Sequence, residues 1–197
     1  LIQSWQSFVY HLTARGGQFQ HGKLTKEHSQ KSEEWQKLMN NSTREFFRKW
    51  GTNVQHNNLM MPIVSPKYDI GFVVHNIHNY DILYSLEPWC STFYGDFPKD
   101  MQMMYTRDEQ PNTTRNLLER IKDIGVKKNN DILVEFDSVK LTNESFNILV
   151  QLPHILSNDE QLEVGEFELG IFKIKINKIK TYEEELIVNE NTMFDAD

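Results

Sequence analysis

The spacing of the apolar positions predicts one helix first and alternating strands and helices afterwards. Over residues 32–50 apolar side chains recur near helical spacing on one face, whereas residues 1–31 show no sustained period. Ser32 is a suitable helix N-cap, and Gly51 supplies a stop at the other end. The chain is therefore expected to begin with an irregular segment that leads into one amphipathic helix.

Beyond residue 67 short apolar runs alternate with stretches of helical period. The predicted strands cover residues 69–74, 92–94, 131–136 and 166–176, and the predicted helices cover residues 80–86, 114–124 and 144–152. In the last strand the apolar residues change parity, which a β-bulge near Gly170 or Ile171 would reconcile. This succession predicts an α/β fold with a small, mostly parallel or mixed sheet and helices on its faces.

A change in composition and charge predicts where the chain divides. Residues 52–67 are rich in Asn and contain two prolines, which is typical of a linker. Residues 1–59 carry 8 Lys and Arg against 4 Asp and Glu, whereas residues 60–197 carry 13 against 24. We therefore predict a first part at 1–60, made of a loop and a helix, and an acidic α/β domain at 61–197.

The totals exclude several classes of protein. The net charge of −7 comes from the larger part, which would repel phosphate backbones, so nucleic acid is an unsuitable partner. The mean hydropathy is −0.58 and no apolar run approaches the length of a bilayer span, so we expect no membrane span. The single cysteine, Cys90, excludes a disulfide framework, and no targeting segment follows Leu1, which together favour a cytoplasmic location.

Two segments, residues 8–17 and 42–51, carry a resemblance to a known family. The first contains the pair Tyr10-His11 before a flexible loop, and the second lies on the predicted helix and ends in a Phe-x-x-Lys-Trp-Gly pattern. Together they resemble the C-terminal part of a family-2 glycosyltransferase, over about the first quarter to third of the chain.

The resemblance implies a GT-A fold and the transfer of a sugar from a nucleotide sugar to a saccharide acceptor, with a divalent metal such as Mn²⁺ or Mg²⁺. His11 matches a metal-ligating histidine of the family, and Arg15, Gly16 and Gly17 would close over phosphates. Alternatively, His11 is a polar residue of an edge strand and the loop is an ordinary turn. The family's donor-binding strands, Asp-x-Asp and catalytic base would precede Leu1, so we expect this chain to lack most of the donor site, and no catalytic residue is assigned.

The predicted acidic domain has its own candidate residues. His75 and His78 follow the first strand at its carboxyl end, where α/β sheets place ligands, so they could bind substrate or simply form a hydrogen-bonded loop. Asp137 or Asp131, at the two ends of the third strand, could share a cleft with His75. Trp89 could stack on a sugar ring, or it could anchor the core between a helix and a strand.

Three hypotheses follow from these patterns. The first is part of a glycosyltransferase with an accessory α/β domain, which leaves apolar surface exposed on the first helix and could produce a homodimer. The rival is a non-catalytic α/β binding or interaction module that buries the same surface. The third is a small enzyme with a pocket that contains His75, His78 and at least one carboxylate.

Overall fold

A computed structural model describes residues 26–63, 65–159 and 162–181 of the 197-residue chain. The chain divides into two compact units, Leu1–Ser42 and Thr43–Asp197. The predicted boundary near residue 60 lies inside the second unit, and a functional division at that point stays a prediction.

Helix α1 spans Lys26–Trp50, so it begins earlier than predicted and ends where predicted. Its end follows from Gly51, whose φ of 70° lies in the left-handed region and whose amide donates to the Phe47 carbonyl at 2.7 Å. Trp35 and Leu38, on the part of α1 in the first unit, are 50% and 63% exposed.

The predicted linker at residues 52–67 contains a small antiparallel hairpin. Its strands are β1 (Gln55–His56) and β2 (Pro62–Ile63). The side-chain oxygen of Asn57 accepts the Leu59 amide at 2.9 Å, which fixes the turn between the strands. The polar, Asn-rich sequence therefore forms a defined hairpin turn, in addition to connecting the flanking elements.

The second unit is built on a six-stranded mixed sheet. Its strands are β3 (Ile70–His75), β4 (Thr92–Gly95), β5 (Ile121–Asp123), β6 (Ile132–Asp137), β7 (Gly165–Leu169) and β8 (Phe172–Ile176). The strand order is β5-β4-β3-β6-β8-β7, in which β3 to β6 run parallel and β8 and β7 pair antiparallel. The predicted α/β fold with a small mixed sheet is confirmed.

Helices and single 3₁₀ turns connect these strands. The helices are α2 (Tyr80–Leu86), α3 (Lys99–Glu109), α4 (Leu117–Arg120) and α5 (Asn143–Asn158), and the 3₁₀ turns are Glu87–Trp89, Gln110–Asn112 and Ser138–Lys140. Helix α2 has its predicted bounds because the Asn79 side chain caps it, accepting the Asp81 amide at 2.8 Å. Helix α5 begins with a reciprocal capping box between Thr142 and Ser145.

One face of the sheet and the helices share an apolar core. The strand register aligns Phe72 of β3 with Phe93 of β4 and with Val134 of β6, and Ile174 of β8 pairs with Val134. These side chains are at most 1% exposed, and Leu83 of α2 is buried in the same cluster. Each such side chain contributes about 1.5–3 kcal/mol through burial, so this face fixes the sheet against the helices.

The segment 166–176, predicted as one bulged strand, is a hairpin. Gly170 has a φ of 62° at the first position of a two-residue loop, which is the conformation of a type II′ turn. Because the chain reverses there, Phe167 of β7 pairs directly with Ile174 of β8 and lies on the same face. The change of apolar parity in the sequence therefore marks a reversal and not a bulge.

The region between β4 and β6 differs from the sequence analysis in two ways. The predicted helix at 114–124 shortens to α4, because Ile121 leaves the helix to pair with Phe93 in the sheet. Helix α3 was not predicted, and its apolar residues are divided between surface and core: Met103 is 71% exposed while Tyr105 is fully buried. Tertiary packing overrides the local pattern at both places.

A buried carboxylate, Glu87, anchors the last turns of α1 within the second unit. Its Oε2 accepts Arg48 Nη2 at 2.8 Å and the Tyr105 hydroxyl at 2.9 Å, while its Oε1 accepts Arg120 Nε at 2.9 Å. Glu87 is 0% exposed and Arg48 is 2% exposed. Burial alone would raise the pKa of Glu87, but Arg120 and Arg48 outweigh it and hold that pKa below its ordinary value.

Arg44, one turn before Arg48, extends this charged cluster. It donates from Nη2 to the Tyr105 hydroxyl and from Nη1 to the Tyr84 carbonyl, both at 2.6 Å, and from Nε to Glu109 at 3.2 Å. Its guanidinium also lies 3.7 Å from the centre of the Tyr84 ring. Every group of this buried arginine–glutamate cluster is thus paired, which is the condition for keeping charges in a core.

Within the residues that the structure describes, no helix is long and apolar enough to cross a membrane. This agrees with the expectation from the hydropathy of the sequence. The cytoplasmic location and the homodimer stay predictions.

Candidate functional site

The carboxyl ends of β3 and β6 lie side by side at the point where the strand order of the sheet reverses. From β3 the chain continues outward through β4 and β5, and it then returns to place β6 on the other side of β3. Ligands of open α/β sheets bind in the crevice at such a switch point, outside the carboxyl ends of the strands. His75 and Asp137, the last residues of β3 and β6, are paired in the register there.

The loop after β3 is held by a carboxylate from the end of the neighbouring strand. Asp96 follows β4, and its two oxygens accept the amides of Asn76 at 2.7 Å and Ile77 at 3.0 Å. Asn76 has a φ of 58°, a conformation that costs a non-glycine residue free energy and must be maintained by its contacts. Burial would raise the pKa of Asp96, but these amides outweigh it and lower the pKa.

The same loop is tied to the end of β6. Asn76 Nδ2 donates to Asp137 Oδ2 at 2.9 Å, and the Ser138 hydroxyl donates to the Asn76 carbonyl at 2.6 Å. The other oxygen of Asp137 accepts the Val139 amide at 2.9 Å. Asn76 therefore lies between Asp96 and Asp137 and links the carboxyl ends of three parallel strands.

Close approach of the backbone is part of this arrangement at the end of β4. A Cβ added at Gly95 would lie 2.4 Å from the Phe97 ring and 2.6 Å from the Ile77 side chain. A larger residue would have to displace the Phe97 ring and the end of the Ile77 side chain, so packing beside the site favours glycine here.

A second pair of polar side chains lies on the face of the sheet opposite the helices. His75 Nε2 and Glu135 Oε1 are 2.8 Å apart, and the two side chains are 42% and 47% exposed. Glu135 and Asp137 are two residues apart on β6, so both point to this face. The site thus offers the carboxylates of Glu135, Asp137 and Asp96 around a hydrogen-bonded loop.

The structure separates the predicted candidates. His75 lies in the site, with Asp137 beside it as one of the two predicted alternatives, whereas Asp131 lies at the start of β6 near Lys178 at 3.6 Å. His78 is exposed in the loop before α2. Among the described residues no group of three or more His, Cys, Asp or Glu side chains could hold a metal ion.

Trp89 lies in the packing between α1 and α5. Its ring stacks on Phe47, with ring centres 4.0 Å apart, and meets the edge of Phe146 at 6.0 Å. This geometry favours the packing alternative for Trp89. Cys90 is buried, and burial raises the pKa of its thiol to about 12, so it packs as a small apolar residue.

The remaining predicted residues, His11, Arg15, Gly16 and Gly17, lie outside the described residues. Conversely, sequence reasoning missed Glu135, because it lies inside the apolar run of β6. The available signal was the sequence Glu135-Phe136-Asp137, in which the strand period places both carboxylates on one face.

Comparisons with protein-family models, with curated proteins and with solved structures find no match for this chain. The fold and the site by themselves define an α/β protein with a candidate ligand site at the switch point of its sheet.

Proposed function

We propose that this chain is part of a metal-dependent glycosyltransferase and that its own sheet contributes to the nucleotide-sugar site. The observation that carries the proposal is the pair of carboxylates, Glu135 and Asp137, that ends β6 beside β3 at the switch point. The resemblance of residues 8–17 and 42–51 to the end of such an enzyme supplies the reaction: transfer of a sugar to a saccharide acceptor.

The charge of the site selects the class of ligand. The carboxylates of Asp96, Glu135 and Asp137 would repel a bare diphosphate, so a phosphorylated ligand needs a divalent cation between itself and the protein. Carboxylates also accept hydrogen bonds from sugar hydroxyls. A nucleotide sugar bound with Mn²⁺ or Mg²⁺ satisfies both conditions.

The residues present fit such a cation in part. Glu135 and Asp137 supply two carboxylates, and Mg²⁺ typically takes one or two from the protein and the rest of its ligands from phosphates and water. When bound, the metal would stabilise the charge that develops on the leaving diphosphate. His11 stays a further candidate ligand, and Arg15, Gly16 and Gly17 stay candidates for phosphate contact.

The neighbouring residues of the site have positioning roles. His75 holds one oxygen of Glu135 at 2.8 Å and so restricts the direction of that carboxylate. Asn76 does the same for Asp137, and Asp96 fixes the loop that carries Asn76. A site whose carboxylates are already oriented loses less conformational entropy when a ligand binds.

The packing of residues 43–50 also supports a glycosyltransferase in which this segment and the α/β sheet form one catalytic domain, and not a catalytic segment followed by a separate accessory domain. Arg44 and Arg48, which belong to the glycosyltransferase-like segment, are buried against Glu87 of the α/β unit, and Phe47 stacks on Trp89. The resembling segment and the sheet therefore share one set of buried contacts.

The alternative is a non-catalytic α/β binding module. It is favoured by the hydrogen bonds that Asp96 and Asp137 make to backbone amides, because a purely structural loop would need the same acceptors. In that case Glu135 and His75 are an exposed surface pair without a ligand.

Thermal unfolding with Mn²⁺ and a panel of nucleoside diphosphates and nucleotide sugars distinguishes the two functions. We expect stabilisation that requires both metal and nucleotide, that is lost in Glu135→Gln and weakened in His11→Ala. Glu119→Gln, an exposed acid on α4, is the matched control and should respond as the wild type does. No shift with any nucleotide would reject the glycosyltransferase and favour the binding module.

A further inference from the structure

Strand β7 forms an edge of the sheet. It pairs with β8 on one side, and in the described residues no strand lies on its other side. An edge of this kind presents a row of backbone donors and acceptors that can pair with another extended segment.

The backbone groups that face outward can be assigned from the hairpin register. Leu169 and Phe172 flank the two-residue turn and bond to each other across it, so the groups of β7 alternate from that pair. Phe167 therefore directs its amide and carbonyl toward β8, whereas Glu166 and Glu168 direct theirs outward. Two amides and two carbonyls thus face outward along the edge, away from β8.

The side chains of β7 define which segment would fit beside it. Glu166 and Glu168 lie on one face, and Phe167, which is 39% exposed, lies on the other. Strand β8 is the complement on the paired side: Lys175 and Lys173 lie 2.9 and 3.5 Å from Glu166, and apolar residues alternate with them. The chain thus already contains one strand that recognises β7 through alternating lysines.

The surroundings of β7 are strongly acidic. Residues 157–171 contain five Asp and Glu and no Lys or Arg. A shallow groove beside the strand is lined by Leu162, Glu163, Val164 and Phe167, so acidic and apolar groups are combined there as well. Both properties favour a partner with basic and apolar residues in alternation.

We propose that the open edge of β7 binds an extended protein segment in which Lys or Arg alternates with apolar residues, as an added strand of the sheet. A second copy of β7 is a poor occupant, because antiparallel pairing about Phe167 would place Glu166 opposite the other copy's Glu168. Residues 182–197 of this chain are also unsuited by charge, since they contain six Asp and Glu and no Lys or Arg.

Binding is measured by fluorescence anisotropy of a labelled peptide, Gly-Phe-Lys-Ile-Lys-Ile-Gly, with the full chain at low and at 0.5 M salt. We expect saturable binding that weakens with salt, and no binding of the matched peptide with Glu in place of Lys. Equal binding of both peptides, or no binding of either, would overturn the proposal.

Two variants locate the peptide on the edge. Glu168→Gln removes one exposed charge and should weaken binding about two- to fivefold. Glu168→Pro also removes an outward amide without touching the β8 ladder and should weaken binding about tenfold or more. Glu119→Gln is the control, because Glu119 lies on α4, which leads into β5 at the opposite edge of the sheet from β7. Unchanged binding by Glu168→Pro would show that the peptide binds elsewhere and would reject the proposal.

The other occupants give distinct results. If the peptide binds only after residues 182–197 are removed, the chain's own end occupies the edge and the proposal is wrong. Sedimentation that shows self-association of the wild type, abolished by Glu168→Pro, would assign the edge to a second copy instead.

Discussion

The second unit contains two polar clusters in which carboxylates have opposite environments. Around Glu87, the carboxylates and guanidinium groups are removed from water and almost fully paired. Around Asp137, at the carboxyl ends of the parallel strands, the carboxylates of Glu135 and Asp96 are exposed, and those of Asp96 and Asp137 hold a loop. Carboxylates of the same kind therefore differ in whether they remain accessible to a ligand.

The difference shows that pairing and burial, not residue type, separate a structural cluster from a candidate site. The arginine–glutamate cluster leaves no buried side-chain donor or acceptor for a ligand, because its buried polar atoms are paired within the core. The exposed cluster keeps lone pairs that face water, and a ligand can take the place of that water. Mutations should consequently affect stability at the first cluster and binding at the second.

The largest effect is expected for Glu87→Gln. Removal of the charge leaves the buried Arg48 and Arg44, and the partly buried Arg120, with too few negative partners, so the free energy of unfolding should fall by about 3–5 kcal/mol. Chemical denaturation measures this loss, and Glu119→Gln, an exposed acid, should change it by no more than about 0.5 kcal/mol. If Glu87→Gln proves as stable as the wild type, the cluster does not hold α1 as described.

A smaller, pH-dependent effect is expected for Asp96→Asn. The folded pKa of Asp96 is lowered, so its contribution is present above its unfolded pKa of about 3.9 and is lost as pH falls through the lower folded value. Because Asp96 is exposed, the loss at pH 7 should be only about 0.5–1 kcal/mol. Denaturation between pH 7 and pH 2.5 should show a shallower acid slope in the variant, and equal slopes would contradict the amide contacts.

Sequence predicted the fold better than the sites. Strand β3 and helix α2 could be predicted because an apolar run and a helical period are local signals. The placement of His75 at the carboxyl end of β3 followed from the predicted strand. The β7–β8 hairpin was hidden because a two-residue reversal keeps the apolar residues on one face without a polar interruption.

The buried arginine–glutamate cluster could not be predicted for a different reason. Arg48 and Glu87 are 39 residues apart and Arg44 and Glu109 are 65 apart, and no local pattern reveals which charges will meet. Only the packing of α1 against α2, α3 and the turn between α2 and β4 decides that they are structural.

The smallest effect on stability is expected for the pair of His75 and Glu135, and it sharpens the comparison most. Both side chains are more than 40% exposed, so a double-mutant cycle with His75→Gln and Glu135→Gln should give a coupling of only about 0.2–1 kcal/mol. The equivalent cycle for Arg48 and Glu87 should give a several-fold larger coupling that salt barely changes, since that pair is shielded from solvent. A coupling at His75 and Glu135 as large as the buried one would mean that the exposed pair has a structural role. That result would contradict the proposal that the switch point binds a metal and a nucleotide sugar.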